Sequence, residues 1–385
     1  MASTMTPTIQ QIKLLGKEKS DANLDSLIAL YHNPSLPLPL KTEVVSSIGR
    51  QSNKQKVAEF IKANITSPYN SMDMVYQFYR TCLYNYQSEV FKALAGEIEL
   101  FYQNEVIAKM KDFFDFKQSD RKPIATAPEI TEPTLLVGDC EETLPSVKSG
   151  SVKLIFTSPP YYNARDYSTY KSYNDYLEKM RGVIIQCHRV LESGRFIVIN
   201  VSPVITKRAG REFESIRYPI HFDFHQLLVS AGFEFIDDIV WLKPEYTVPN
   251  RNAGYFRTQM PLSYKPNCVT ESIMVYRKKA PFLIDKNINQ YNDFKPDFIE
   301  NIDRTNCWLV PPKASQHHPA VFPELLCEKI IHYYSFPNDL VMDCFAGTGT
   351  FGETAKKMDR VGLLCEQHPD YVEHIAKKGY KIISA

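Results

Sequence analysis

From Thr134 onward, short apolar runs alternate with amphipathic stretches, and this alternation narrows the fold more than any other feature. Strands are predicted at 134–139, 152–157, 195–201, 235–242, 272–277, 340–345 and 361–366. Helices are predicted at 173–191, 219–231, 323–334, 352–358 and 370–378. The first helix is closed by Glu192-Ser193-Gly194 and the second by Gly232, each with glycine at a stop position. Strand and helix in turn imply a doubly wound α/β fold, a mostly parallel sheet with helices on both faces.

The first 125 residues or so have another character. Apolar residues recur near a helical period (Leu24, Leu27, Ile28; Val44, Val45, Ile48; Val57, Phe60, Ile61; Met74, Val75, Phe78), punctuated by Pro34, Pro37, Pro39 and Pro68. An all-helical region is predicted, with one longer helix over 90–116 and no clear repeat. Lys122 to Pro133 lacks periodicity, holds three prolines and reads as a linker. The expected division is 1–125 as a helical accessory region and 126–385 as a separate α/β domain.

At 385 residues there is room for both units. The net charge of +1 gives no global attraction to a polyanion, so any such partner has to meet a local basic patch. Eight cysteines are scattered without a C-x-x-C pair, which reads as buried free thiols in a reducing cytoplasm. His317 and His318 lack acidic or thiol companions at ligand spacing, so no metal site is expected. No apolar run approaches the length of a membrane span, and a soluble cytoplasmic protein is the expectation.

Two stretches carry chemistry. The strand at 152–157 runs into Ser158-Pro159-Pro160-Tyr161. Consecutive prolines cannot continue a central strand, so the chain turns stiffly at the strand's C-terminal end, where open α/β sheets place ligands. A hydroxyl, exposed carbonyls and an aromatic ring there suit a flat group bearing an amine; they equally suit a plain Pro-Pro turn with a tyrosine packed over it. Near the C-terminus, Asp343-Cys344-Phe345-Ala346-Gly347-Thr348-Gly349-Thr350 lies between a strand and a helix. Gly347 to Gly352 reads G-x-G-x-x-G, and Glu366 ends the next strand, where an acid binds ribose hydroxyls. A full dinucleotide fold needs a second half downstream of this loop, for which the sequence leaves no room, so a smaller adenosine-bearing ligand fits better than a nicotinamide dinucleotide.

Together, the Thr-Ser-Pro-Pro-Tyr turn and the later Asp-Cys-Phe-Ala-Gly-Thr-Gly-Thr loop resemble the amino-methylating DNA methyltransferases, in the motif order of their beta class. Val137-Gly138-Asp139, Ile239 to Pro244 and His318-Pro319-Ala320-Val321-Phe322-Pro323 match further motifs of that family in the expected places. The resemblance covers about residues 134 to 385. It implies a seven-stranded-type methyltransferase sheet, S-adenosylmethionine as cofactor and double-stranded DNA as partner. A cognate restriction endonuclease and a homodimer are further partners it suggests. Ser158, Pro159, Pro160 and Tyr161 take the catalytic role. Asp139, Asp343, Phe345, Gly347, Gly349, Thr350, Glu366, Pro319 and Phe322 take the cofactor. Arg165, Tyr167, Trp241, Lys243, Arg251 and Arg257 are the candidates for contact with DNA or the flipped base, basic residues interleaved with aromatics.

The implied reaction is methyl transfer to an exocyclic amine. That amine is a poor nucleophile until hydrogen bonds return its lone pair, and the base must first be flipped out of the duplex. The chain has no Pro-Cys dipeptide, which argues against ring-carbon methylation through a thiolate. In this family a serine before Pro-Pro-Tyr is typical of cytosine-N4 enzymes, which favours cytosine over adenine N6. Methylation of RNA or protein, and a DNA-binding module without catalysis, stand as alternatives. On this resemblance residues 126–385 are expected to be the catalytic domain, with 281–316 as a short target-recognition insertion, and 1–125 to serve DNA recognition or dimerisation.

Overall fold

The computed structural model describes residues 7–67, 70–118, 129–162, 170–205, 212, 216–248, 268–284, 303–312 and 321–384. The chain divides into two compact units, residues 1–122 with 281–283, and residues 123–280 with 284–385.

Among the described residues the first unit holds seven helices: α1 (Ile9–Lys17), α2 (Asp21–Tyr31), α3 (Leu38–Gly49), α4 (Lys54–Asn64), α5 (Met72–Tyr84), α6 (Glu89–Tyr102) and α7 (Glu105–Gln118). Their starts are written locally. Thr8, Ser20, Asn53 and Ser71 each accept a hydrogen bond from a first-turn backbone N–H. The periodic apolar residues meet in one core that includes Leu24, Leu27, Val45, Ile48, Phe78 and Tyr79. The single helix expected over 90–116 is instead two. Gln103 adopts a left-handed φ of 43°, and Asn104 then caps α7 by accepting from Val106 N at 2.9 Å.

The second unit is built on one nine-stranded sheet, among the described residues, ordered β11-β1-β10-β9-β2-β3-β7-β6-β8. In chain order its strands are β1 (Thr134–Val137), β2 (Val152–Thr157), β3 (Leu191–Val201), β6 (Phe233–Leu242), β7 (Thr270–Lys278), β8 (Cys307–Leu309), β9 (Leu340–Asp343), β10 (Val361–Glu366) and β11 (Lys381–Ser384). A small separate ribbon pairs β4 (Val204–Ile205) with β5 (Arg217–Tyr218). The described helices of this unit are α8 (Cys140–Thr143), α9 (Tyr173–Val190), α10 (Ile220–Ser230), α11 (Glu324–Tyr334), α12 (Thr350–Lys357) and α13 (Pro369–Ala376). Within the nine-stranded sheet all pairings are parallel except those of β7 with β3 and β6, and the β4–β5 ribbon is antiparallel. Seven strands make the expected methyltransferase sheet, and the short β8 and β11 extend it by one at each edge. β8 falls within the stretch read as an insertion; there, residues 307–309 pair with β6.

β2 shows why the centre of the sheet is apolar throughout. Every residue from Val152 to Thr157 is buried. Ile155 joins the core under α9 and α10, while Leu154 and Phe156 join the opposite core under α11 and α12. The expected break at Glu192–Gly194 is not a loop. The chain passes from α9 directly into β3, and Gly194, at φ 83°, sits where the register with β2 shifts between Val152 and Leu154.

Candidate active site

β2 and β9 lie side by side, and from this pair the chain winds in opposite directions, to β3 on one side and to β10 on the other. Open sheets bind ligands at such a switch point, beyond the carboxyl ends of the strands. A buried hydrogen bond, Thr157 Oγ1 donating to Asp343 Oδ1 at 2.7 Å, ties the end of β2 to the end of β9. It joins residues 186 apart in sequence. The Ser-Pro-Pro-Tyr turn and the glycine loop therefore leave the sheet as neighbours.

Asp343 also accepts from Phe345 N at 3.0 Å, which folds the first turn of the loop. Burial pushes its carboxyl up to about 7, against the pull of the hydrogen bonds from Thr157 and Phe345; the Glu366 charge adds to the rise. The sign for stability follows. A carboxyl with a raised folded pKa binds more protons folded than unfolded, so its contribution is complete below the unfolded value near 4 and is lost as pH rises through 7. Glu366, raised by burial despite three backbone N–H donors, acts in the same direction. The wild-type advantage over Asp343→Asn in thermal melting is therefore expected to shrink steadily from pH 5 to pH 8. A constant difference across that range would place the Asp343 pKa at its ordinary value.

On the other side of the switch point, Ser158 Oγ donates to the Asn200 carbonyl at 3.0 Å. A serine hydroxyl has one proton, so this bond leaves Oγ facing any further partner as an acceptor. Tyr161 packs its ring against the core and donates its hydroxyl to Glu271 Oε2 at 3.0 Å. Burial, followed by the nearby Glu271 charge, pushes the phenol well up and keeps it protonated. The same carboxylate accepts from Asn200 Nδ2 and from Lys243 Nζ. Glu271 thus joins the Pro-Pro turn, β3 and the residue that follows β6. Because Asn200 Nδ2 is held by Glu271, its amide oxygen points elsewhere, and that oxygen is buried without a partner. Tyr161→Phe and Glu271→Ala remove the same hydrogen bond. In urea unfolding the double variant is expected to lose less than the sum of the singles, by roughly 0.5–1.5 kcal/mol. Strict additivity would mean the bond contributes nothing.

The glycine loop turns through two left-handed residues, Gly347 (φ 51°) and Gly349 (φ 79°), before α12 begins. Glu366 Oε2 accepts from Gly347 N at 2.7 Å, and its Oε1 accepts from Gln367 N and His368 N. This pins the carboxylate beside the loop at the C-terminal end of β10. Gly352 lies inside α12; a Cβ there would meet Tyr380 Oη at 2.4 Å and Leu364 Cδ1 at 2.9 Å, so it permits close packing of helix on sheet. One strand further, Val137 pairs with Glu366, and Gly138 N donates to the Glu366 carbonyl at 2.9 Å. Asp139 follows at once, caps α8 through Glu141 N and pairs with Lys179 at 2.7 Å. Phe322 stacks on Phe156 with ring centroids 4.5 Å apart, and Phe351 of α12 meets Phe156 edge-on at 5.5 Å.

The structure thus gathers Ser158 to Tyr161, Asp343 to Thr350, Glu366, Asp139 and Phe322 around the strand ends at and beside the switch point. Two of the expected DNA contacts are placed differently from one another. Lys243 is partly exposed, its ammonium over the Trp241 ring at 4.7 Å. Trp241, expected at the surface as a DNA or base contact, is instead buried in the core beneath Lys243, and its indole N–H donates to the Val310 carbonyl at 2.7 Å. Arg165, Tyr167, Arg251, Arg257, Pro319, His317 and His318 lie outside the described residues. Asn200 and Glu271 were missed by sequence reasoning, because nothing local sets them apart; only the pairing of β7 with β3 and β6 brings them to the turn. Among the described residues no cluster of metal-ligating side chains occurs, and no helix is long and apolar enough to cross a membrane.

A doubly wound sheet with a Pro-Pro turn and a glycine loop at its switch point has the architecture of the ligand-binding open α/β proteins. The DNA methylase family model of the N6/N4 type matches residues 152–378, and the chain belongs to that family. Among its relatives, the type II beta methyltransferase M.BslI of Bacillus sp. (strain NEB-606) is 28% identical over 299 residues, which cover 73% of this chain and 32% of that protein. The type II methyltransferase M.BglII of Bacillus subtilis is 26% identical over 248 residues, covering 61% of this chain and 66% of that protein. The chain therefore spans about a third of M.BslI and just under two thirds of M.BglII. Among solved structures, a DNA modification methylase of Thermus thermophilus in complex with S-adenosyl-L-methionine aligns over 66% of this chain and 97% of its own, with 25% identity and a TM-score of 0.48.

Proposed function

We propose that the chain transfers a methyl group from S-adenosylmethionine to the exocyclic amine of a base flipped from double-stranded DNA, and that the base is cytosine, methylated at N4. The observation that carries the reading is the Thr157–Asp343 bond, which holds the amine-gripping turn against the loop suited to an adenosine-bearing ligand. Membership of the N6/N4 family and the type II naming of its relatives support the reaction class and suggest a cognate restriction endonuclease as partner.

The residues fit the cofactor. Gly347 leaves the ligand's approach free of a side chain, Gly349 lets the loop close down on Ile375, whose Cγ1 a Cβ would meet at 3.0 Å, Glu366 offers its remaining lone pairs to ribose hydroxyls, and Asp139 lies one strand over, on the adenine side. When bound, S-adenosylmethionine supplies a methyl group already activated by its sulfonium. The protein's task is then alignment. Ser158 Oγ, its proton committed to Asn200, accepts one amine N–H, and the Pro159 carbonyl accepts the other. Both bonds favour a pyramidal nitrogen whose lone pair is available for attack. Neither group is a strong base, so the proton leaves after the nitrogen has become cationic. Tyr161, its hydroxyl anchored on Glu271, offers its ring to stack on the extruded base.

Cytosine is favoured by Ser158 in the position before Pro-Pro-Tyr. Mass spectrometry of nucleosides from DNA incubated with the protein and labelled methyl donor tests the reading. N4-methylcytosine is expected. N6-methyladenine alone would change the base but keep the reaction, and label appearing only in RNA or protein would overturn the DNA reading.

A further inference from the structure

A groove of about 540 Å³ opens in the N-terminal helical unit, where the ends of α1, α3 and α5 converge. Two glycines allow that convergence. A Cβ on Gly16 would meet Ser47 Oγ at 2.5 Å, and one on Gly49 would meet Thr81 Cγ2 at 2.3 Å. Lys17, Lys19, Arg50, Lys54 and Arg80 line the groove, with Tyr84, and no acidic residue lines it. The chain as a whole carries a net charge of only +1, so this is a local concentration of charge.

Structural explanations account for part of it. Arg50 pairs with Glu43 at 3.0 Å, and Lys54 donates to the Gly49 carbonyl at the end of α3. Helix C-termini carry roughly half a negative charge each, which offsets some of the rest. Three cations are left over. Lys17, Lys19 and Arg80 are exposed and make no ion pair among the described residues; Arg80 lies over the exposed Tyr84 ring at 5.5 Å. Glu18, between the two lysines in sequence, turns to Asn23. The neutral polar side chains are engaged in holding the helices together: Asn85 donates to the Gly49 and Thr81 carbonyls, and Gln77 to Thr81. The unpaired cations are therefore the groups the groove presents outward. Lys54 registers the crowding, its ammonium lowered by burial and then by the Lys19 charge. Like charges gathered around a concave site, with their natural counterions absent from its walls, suit a polyanion.

We propose that this groove binds the phosphate backbone of double-stranded DNA outside the target base, so that the helical unit holds the substrate by charge and not by sequence. The inference rests on the reading of the chain as a DNA methyltransferase. The test compares the full-length protein with Lys17→Glu/Lys19→Glu/Arg80→Glu and with the neutral Lys17→Gln/Lys19→Gln/Arg80→Gln. Each is checked for unchanged melting and unchanged S-adenosylmethionine binding. Binding to a duplex lacking any methylatable site in that protein's specificity is followed by fluorescence anisotropy from 50 to 200 mM salt. With each lost phosphate contact reducing the slope of log K against log salt by about 0.9, the neutral variant is expected to show a slope shallower by roughly 2–3. Its affinity at the lower salt should fall at least tenfold, and that of the glutamate variant further. Folded variants with unchanged slope and affinity would overturn the groove while leaving methylation untouched, as would a groove-dependent preference for RNA of equal length. Absence of any DNA methylation by the wild type would instead sink the functional reading.

Discussion

Ser158→Ala is expected to lower turnover by roughly 10- to 100-fold, the effect of losing one hydrogen bond to a group that becomes charged in the transition state, about 1.5–3 kcal/mol. Cofactor affinity should hold, because the turn itself is set by Pro159 and Pro160 and by the Thr157–Asp343 bond, none of which the substitution touches. The buried Asn200 carbonyl loses its side-chain donor, a cost that falls on folding stability and is read separately from turnover in a melting curve of the variant. The loss should fall on kcat with little change in KM, the mark of an interaction made mainly in the transition state. A variant whose only defect is a raised KM would mean that Ser158 binds the base without assisting attack.

Gly347→Val is expected to weaken S-adenosylmethionine binding by roughly 100-fold or more. Gly347 holds φ at 51°, where a β-branched residue is strained by about 1–3 kcal/mol, and its side chain would project where the ligand has to approach. Moving the backbone to relieve the strain would also break the bond from Gly347 N to Glu366, releasing the carboxylate proposed above for the ribose. Calorimetric titration of a variant shown to be folded decides the matter. Full affinity would move the cofactor site away from this loop.

Both sites were legible in the sequence because each is a local device. A strand that runs into two prolines has to turn, and a glycine loop between a strand and a helix has to bend backward, whatever surrounds it. The elements that eluded sequence reading are those decided by their partners. Glu192 to Gly194 looks like a helix stop, yet it joins β3 because β2 lies alongside and absorbs the register shift. β8 and β11 are too short to announce themselves and exist as edges to an established sheet. Gln103 breaks a helix that periodicity alone would continue. Glu271 is the clearest case: it is an ordinary acid in Thr270-Glu271-Ser272, and only its position on an antiparallel strand between β3 and β6 makes it the common acceptor for Tyr161, Asn200 and Lys243.

The place of β1 sets the order in which this protein can be completed as it is made. β1 pairs with β10 on one side and β11 on the other, both of them written about two hundred residues or more downstream, a non-local pairing of the slow-folding kind. During synthesis Leu135 and Leu136 emerge early; they have no neighbour until translation has passed Glu366, and lack the second until it has passed Ser384. Until β10 arrives, the strand ends that carry Asp139 and Glu366 are apart, and the glycine loop has no carboxylate to receive Gly347 N. A nascent chain stalled before β10 therefore holds a complete Ser-Pro-Pro-Tyr sequence beside an unfinished switch point, and its unpaired apolar strand is of the aggregation-prone kind that chaperones meet.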